Sequence, residues 1–298
     1  MKILISGASS YIGRYVTEAF LNEGDLVYTL YRDTINTSLH PLHKEVKPII
    51  VSKSNLSVDI YEAIKATSPQ CIIHLGGATF NENEFLGRNQ TLEANFHFGW
   101  HLLNAALQNS VSYFINAGSF WSYGDVHLPK PNSLYSFSKL EFQKFLEYYA
   151  DAQQLKVISL VLFDVYGPFD PRNKVLNVIL ESMKNNASIE MTGGEQFLDL
   201  VHVEDVANGF VKASRLITNE LTPNISQFSL RSGTLYNLRS IVEIVSRVSG
   251  KKIDVQWGSK PYQKNQIFQP IQSITTLPNW SAKQLTDGLT DIIMNNKY

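Results

Sequence analysis

The first half of the chain alternates short runs rich in apolar and β-branched residues with stretches of helical period, and few folds accept that pattern. "KILIS" (2–6), "LVYTLY" (26–31), "VKPIIV" (46–51), "CIIHL" (71–75), "VSYFIN" (111–116) and "KVISLVLF" (156–163) read as strands buried on both faces. Amphipathic helical patterns fall near 11–23, 57–67, 88–109, 134–154 and 174–186. Strands joined through helices run parallel, and right-handed crossovers cover both faces of the sheet. The expected fold is therefore α/β, a doubly wound parallel Rossmann sheet. The pattern loosens after about residue 164. "VYGPFDPRN" (165–173) is turn-rich, and 191–206 mixes a Gly turn, a short strand and a helix start with Glu204 and Asp205 in its first turn. Short elements follow at 225–230, 237–250, 251–257 and about 281–295. A sheet domain over 1–165, taking in also about 197–225, is expected beside a smaller α/β cap drawn mainly from 166–298.

Composition excludes several classes. Net charge is −1 over 298 residues, so no basic field invites nucleic acid. A single cysteine, Cys71, precludes an internal disulfide, suits a reducing compartment and lacks the Cys/His clustering of a zinc site, so no metal is expected. No window approaches 18 consecutive apolar residues, and "MKILISGASS" lacks the basic start of a signal peptide. These features predict a soluble cytoplasmic protein.

"ISGASSYIGRYV" (5–16) sets Gly7 and Gly13 between the first strand and the first helix. A turn of this kind lets backbone approach a pyrophosphate and points helix amides at it. The spacing is G-x-x-S-x-x-G, with Ser10 at the middle position, so Ser9, Ser10, Tyr11 and Ile12 become cofactor-binding candidates; the plainer reading is a structural strand-to-helix turn. The second strand ends "LYRD", with Tyr31 at the tip and then Arg32 and Asp33. A guanidinium there can pair with a 2′-phosphate, which points to NADPH, with Arg14 as a second cation. Asp33 keeps NAD open. In "SLYSFSKLEF" (133–142), Tyr135 and Lys139 stand one helical turn apart and can act on one spot.

Five further segments carry a resemblance: "HLGGAT" (74–79), "EANFHFGWHLLNAA" (93–106) through Asn95 and Gly99, "NAGSFWSYG" (116–124), "FDVYGP" (163–168) and "LDLVHVEDVANG" (198–209). With the glycine turn and the Tyr–Lys pair, the chain resembles the extended short-chain dehydrogenase/reductase family of nucleotide-sugar enzymes nearly end to end. Within it, "SFW", the short gap from Ser to Tyr and the "GEQ" turn are similar to the 4-ketoreductases of CDP-linked 4-keto-3,6-dideoxyhexoses, the abequose-synthase group. The resemblance implies catalytic roles for three residues. Tyr135 donates a proton, Lys139 lowers the Tyr pKa and holds the nicotinamide ribose, and Ser119 stabilises the oxyanion. It also implies cofactor contacts at Asn55, Leu56, Leu75, Gly76, Gly77 and Asn95. Substrate contacts are implied at Thr79, Phe120, Trp121, Asp164, Arg172 and Arg231, with Phe169, Lys174 and Lys260 as further candidates.

Departures from the family narrow the reaction. Dehydratases carry an Asp-Glu pair where this chain has Phe120 and Trp121. Epimerase-reductases carry Cys and His where it has Trp121 and Phe169. Val161 and Asp164 replace the usual Arg and Asn before "VYGP", Leu198 and Leu200 replace Arg and Phe of "RDFVHV", and Gln263 stands for a C-terminal Arg. The expectation is an NADPH-dependent reductase of a CDP- or dTDP-linked 4-keto-6-deoxy or 3,6-dideoxy sugar, of the kind used for O-antigen-type polysaccharides. A homodimer through 88–109 and 134–154 goes with the resemblance. An NAD-dependent 4-epimerase and a non-catalytic NADP(H)-binding protein remain open alternatives.

Overall fold

A strand packed on both faces sends alternate side chains to opposite layers, and the first strand shows it. Ile3 and Ile5 join one buried cluster while Leu4 joins another. The computed structural model describes residues 1–34, 44–124, 129–153 and 155–298. Its elements in chain order are β1 (Lys2–Ser6), α1 (Tyr11–Asn22), β2 (Leu26–Arg32), β3 (Lys47–Val51), α2 (Leu56–Thr67), β4 (Cys71–His74), α3 (Phe85–Leu92) and α4 (Phe98–Gln108). Then come β5 (Tyr113–Ser119), α5 (Leu134–Gln153), β6 (Lys156–Leu162), β7 (Asp164–Tyr166), α6 (Val175–Asn185), β8 (Ile189–Met191), β9 (Phe197–Leu198) and β10 (Leu200–His202). The last are α7 (Val203–Leu216), β11 (Ile225–Leu230), β12 (Tyr236–Asn237), α8 (Leu238–Ser249), β13 (Val255–Trp257) and α9 (Leu285–Met294).

Seven strands form one parallel sheet in the order β11-β6-β5-β4-β1-β2-β3. This is the Rossmann-like arrangement the alternation predicts. The order reverses beside β1, so the ends of β1 and β4 diverge and leave a crevice. One face is covered by α1 and α7 through Val16, Phe20, Val206 and Phe210. The other is covered by α2, α4 and α5 through Ile60, Ile64, Leu102, Phe142 and Leu146. The seventh strand, β11, comes from the C-terminal half and pairs with β6 from Ile225↔Val157 to Leu230↔Leu162. A third buried cluster gathers α6, α8 and α9 around Tyr166, Ile179, Ile241 and Leu289.

Three boundaries differ from the sequence expectation. The helix expected over 88–109 starts earlier and consists of α3, a π-helical turn Glu93–His97, and α4. The last helix begins at Leu285 rather than 281, because Asp205 holds the preceding segment extended. The Trp280 indole N–H donates to its carbonyl (2.8 Å) and the Lys283 amide to its carboxylate (2.8 Å). β5 runs on to Ser119, three residues past its apolar core. Residue 154 of the expected 134–154 helix lies outside the described residues.

Candidate active site

The C-terminal ends of β1, β4, β5 and β6 open onto a cleft of about 280 Å³. Two glycines shape its floor. Gly7 takes φ +80°, and a Cβ there would lie 2.7 Å from the Gly76 nitrogen, so β1 turns directly against the loop leaving β4. A Cβ on Gly13 would fall 2.1 Å from the Gly7 carbonyl oxygen, so only glycine lets α1 start on that turn. Ser10 caps α1 by accepting from the Gly13 amide at 3.0 Å. Among the described residues, α1 has no acidic side chain in its first turn, so its free amides face an anion site without a built-in competitor. Ser10, Tyr11 and Ile12 line the cleft, as do Leu75, Gly77 and Thr79. A dinucleotide's phosphates fit this cradle. Gly7, Gly13 and Ser9 shape or flank the turn rather than line the cleft.

The hydroxyls of Tyr11 and Tyr15 both donate to the Pro168 carbonyl, at 3.1 and 3.2 Å, and so tie α1 to the Tyr166–Pro168 turn.

The catalytic candidates converge on this cleft from two elements. β5 ends at Ser119, whose Oγ accepts from the Trp121 amide (3.3 Å) and starts a short 3₁₀ turn, Phe120–Ser122. On α5, Tyr135 and Lys139 face the same point and line the cleft with Ser119. Burial pushes the Tyr135 phenol above its ordinary value, while a hydrogen bond with Ser119 and the charge of Arg172 pull it back. Lys139 is 4% exposed. Its ammonium donates to the carbonyls of Gly76 (2.8 Å) and Ala117 (3.3 Å), and burial lowers its pKa to about 8. The pull that opposes burial of the Tyr135 phenol comes from Ser119 first and Arg172 second.

The loop after β4 is braced from behind. Buried Asn95, in the π-helical turn, donates to the carbonyls of Ala78 (2.7 Å) and Thr91 (2.7 Å) and accepts from the Ala78 amide (3.0 Å). A Cβ on Gly77 would meet Asn95 Oδ1 at 2.7 Å and Lys139 Cε at 3.0 Å. Asn95 thus shapes the loop after β4 instead of touching the cleft, and Gly76 contributes its carbonyl to Lys139.

Arg32 ends β2, and Asn55 and Leu56 follow β3, on the sheet edge away from Ser119. The exposed Arg32 guanidinium lies over the Phe98 ring at 5.8 Å from its centroid. Asp33 accepts from the Lys53 amide (2.8 Å), and Asn55 donates to Asp59 (2.9 Å). Arg14 is half-buried, with Nε and Nη1 lacking a partner, and burial lowers its pKa.

On the substrate side, the Lys174 ammonium lies 5.5 Å from the centre of the Trp121 ring, and both line the cleft. Phe120 is 5% exposed and stacks on Phe163 at 5.1 Å, so it is chiefly a floor for Trp121. Asp164 brings a carboxyl into the cleft; burial raises its pKa, and Lys174 and Arg172 oppose that. Arg172 is already paired: it grips Asp170 through Nε and Nη2, both at 2.7 Å, and donates to the Val165 carbonyl. Its face covers the Tyr11 ring at 4.7 Å.

Three candidates do not reach the cleft. Phe169 is 58% exposed at φ +53°, held outward by its amide's bond to the Lys297 carbonyl (2.8 Å). Arg231 hydrogen-bonds Gln272, and the Lys260 amide donates to the Met191 carbonyl. Conversely, Ala117, Leu162 and Phe163 line the cleft without having been expected to. Their positions follow from strand register, and nothing in their residue type signals them. Among the described residues no cluster of His, Cys, Asp or Glu could hold a metal ion, and no helix is long and apolar enough to cross a membrane.

Comparison with known proteins gives a consistent setting. The family model described as the NAD dependent epimerase/dehydratase family matches residues 3–226. The chain is similar to CDP-abequose synthase of Yersinia pseudotuberculosis, 21% identical with 91% of this chain and 92% of the relative covered. It is also similar to CDP-abequose synthase of Salmonella typhimurium, at 24% with 95% of each covered. Among solved structures, UDP-glucose 4-epimerase of Thermotoga maritima with UDP-glucose superposes with a TM-score of 0.83 at 21% identity, covering 99% of this chain and 98% of that one.

Proposed function

The chain belongs to the NAD dependent epimerase/dehydratase family, and on that premise we propose that it is an NADPH-dependent reductase of a nucleotide-linked 4-keto-deoxyhexose. The observation that carries this reading is the convergence of Ser119, Tyr135 and Lys139 on one cleft, with apolar Phe120 and Trp121 directly after the serine. The similarity to two CDP-abequose synthases over nearly the whole chain supports the substrate class. Ser10, Tyr11, Ile12, Leu75 and Gly77 would hold the cofactor's central part, and Arg32 would meet its 2′-phosphate. Bound NADPH supplies the hydride.

The chain's own residues do the rest. Tyr135 Oη delivers a proton to the carbonyl oxygen of the sugar. The Ser119 hydroxyl, hydrogen-bonded to that phenol, donates to the same oxygen as charge develops on it. Lys139, bonded to two carbonyls, has one ammonium N–H left that would serve the ribose. Trp121 and Lys174 give the sugar an apolar wall edged by positive charge.

A second copy of the chain is the proposed partner. Phe96, Trp100, Phe145 and Tyr149 form a run of touching rings across the π-helical turn, α4 and α5, with Phe137 and Tyr148 exposed beside it.

The test is NADPH oxidation against a panel of 4-keto-6-deoxy and 3,6-dideoxyhexose nucleotides. Oxidation by the wild type, cut at least roughly a hundredfold in Tyr135→Phe with cofactor affinity retained, is the expected result. The second reading is an NAD-dependent 4-epimerase, favoured by the Asp33 carboxylate one residue past Arg32. It takes over if UDP-hexoses interconvert while no NADPH is consumed.

A further inference from the structure

The helix that carries Tyr135 and Lys139 is not capped by its own sequence alone. Ser133 and Ser136 make a reciprocal pair at its start: the Ser133 amide donates to Ser136 Oγ (3.0 Å) and the Ser136 amide to Ser133 Oγ (3.2 Å). That pair leaves the amide of Tyr135 itself without a local acceptor. It donates instead to Glu82 Oε1 at 3.2 Å, 53 residues earlier in the chain. Glu82 stands three residues beyond Thr79, on the same loop whose Gly77, Ala78 and Thr79 line the cleft. Its backbone is fixed in turn, because Arg88 Nη1 donates to the Glu82 carbonyl at 3.1 Å.

From this arrangement we propose that Glu82 is a positioning residue for Tyr135, fastening the first turn of the catalytic helix to the loop that lines the cofactor cleft. A carboxylate is suited to the task. It makes a charge-assisted bond to a first-turn amide and sits at the positive end of the helix dipole. It does not line the cleft, so it acts only through the backbone of Tyr135. The loop is anchored by Asn95 behind Ala78, by Lys139 at the Gly76 carbonyl and by Glu82 on α5, so its cleft-facing residues and the Tyr135 backbone form one connected unit. Glu82 reaches Tyr135 only at its backbone amide, so losing it should displace the proton donor.

The inference rests on Tyr135 being the proton donor, and the test separates the two claims. Hydrogen–deuterium exchange of the full-length protein without substrate reports the Tyr135 amide directly. Glu82→Ala should speed its exchange at least tenfold, and Glu82→Gln, which keeps an acceptor oxygen, should leave it protected. In turnover, Glu82→Ala should lose roughly ten- to a hundredfold in kcat, as misplacement of a catalytic group does. NADPH affinity should hold within about twofold and the pH profile should keep its shape. Glu82→Gln should restore kcat. Unchanged Tyr135 exchange in Glu82→Ala, full turnover in that variant, or a Glu82→Gln as impaired as the alanine would each overturn the assignment. A wild type inactive on every keto sugar would refute the proposed function while leaving the exchange result to decide the positioning claim.

Discussion

Burial lowers the Lys139 ammonium from 10.5 to about 8, and this one shift has opposite consequences for stability and for catalysis. Between about pH 8 and 10.5 the unfolded chain holds a proton that the folded chain has released. Stability from this site therefore rises with pH across that window, by at most about 3 kcal/mol. Below pH 8 the cost of burying the charge is present in full. The proposed chemistry needs the cation, so kcat/KM, which reports the free enzyme, should fall as pH rises through about 8. Denaturant curves of wild type and Lys139→Met at pH 7.5 and 10, without cofactor, should show wild type gaining on the variant at the higher pH. A kcat/KM that stays flat to pH 10 would contradict the role. At the cofactor's other end, Arg32 should make NADPH bind more tightly than NADH. Arg32→Asp should erase that preference in a fluorescence titration; equal affinities in the wild type would refute it. The glycine turn and the Tyr–Lys pair were legible because each obeys a short local rule. The balance on Tyr135 was not, since Arg172 reaches it only through the fold.

Six of the seven strands were readable from their apolar runs, because a strand inside a covered parallel sheet is marked by composition alone; β11, "ISQFSL", is only half-buried over most of its length and carries no such run. The π-helical turn Glu93–His97 was not readable, since no residue type in it marks a turn of that kind. That turn places Asn95 against Ala78, so the illegible detail is the one that shapes the loop after β4. Asn95→Ala would strand the Ala78 amide and two carbonyls, at roughly 1–3 kcal/mol for each group left buried without a partner. A lowered thermal midpoint together with weaker NADPH binding is expected. A variant that loses stability yet binds NADPH as well as wild type would show that the brace does not serve the cofactor. The start of α9 was hidden for a similar reason: Asp205, 80 residues upstream, fixes it.

Across the whole molecule, the sheet builds the chemical half of the cleft, and the turn after β7 with the segment leading into α6 builds the half where a sugar would lie. The first half follows motifs; the second does not. Phe169, expected in the sugar pocket, is turned outward by its left-handed backbone and its bond to the C-terminal segment. Asp164, Arg172 and Lys174 are left as the charged edge of the cleft. Among the described residues Asp164 is also the one carboxyl that lines the cleft, and so the group that could abstract a ring proton if the reaction inverted C3 or C5. The decisive measurement follows from that contrast. A 4-keto-6-deoxyhexose nucleotide is reduced with NADPH carrying deuterium at the transferable position, in ordinary water. The reaction is then repeated with unlabelled NADPH in deuterated water, and both products are read by NMR. One deuterium at C4 in the first experiment and none at C3 or C5 in the second is the expected result. Solvent deuterium at a ring carbon, or product formed without consumption of NADPH, would contradict it.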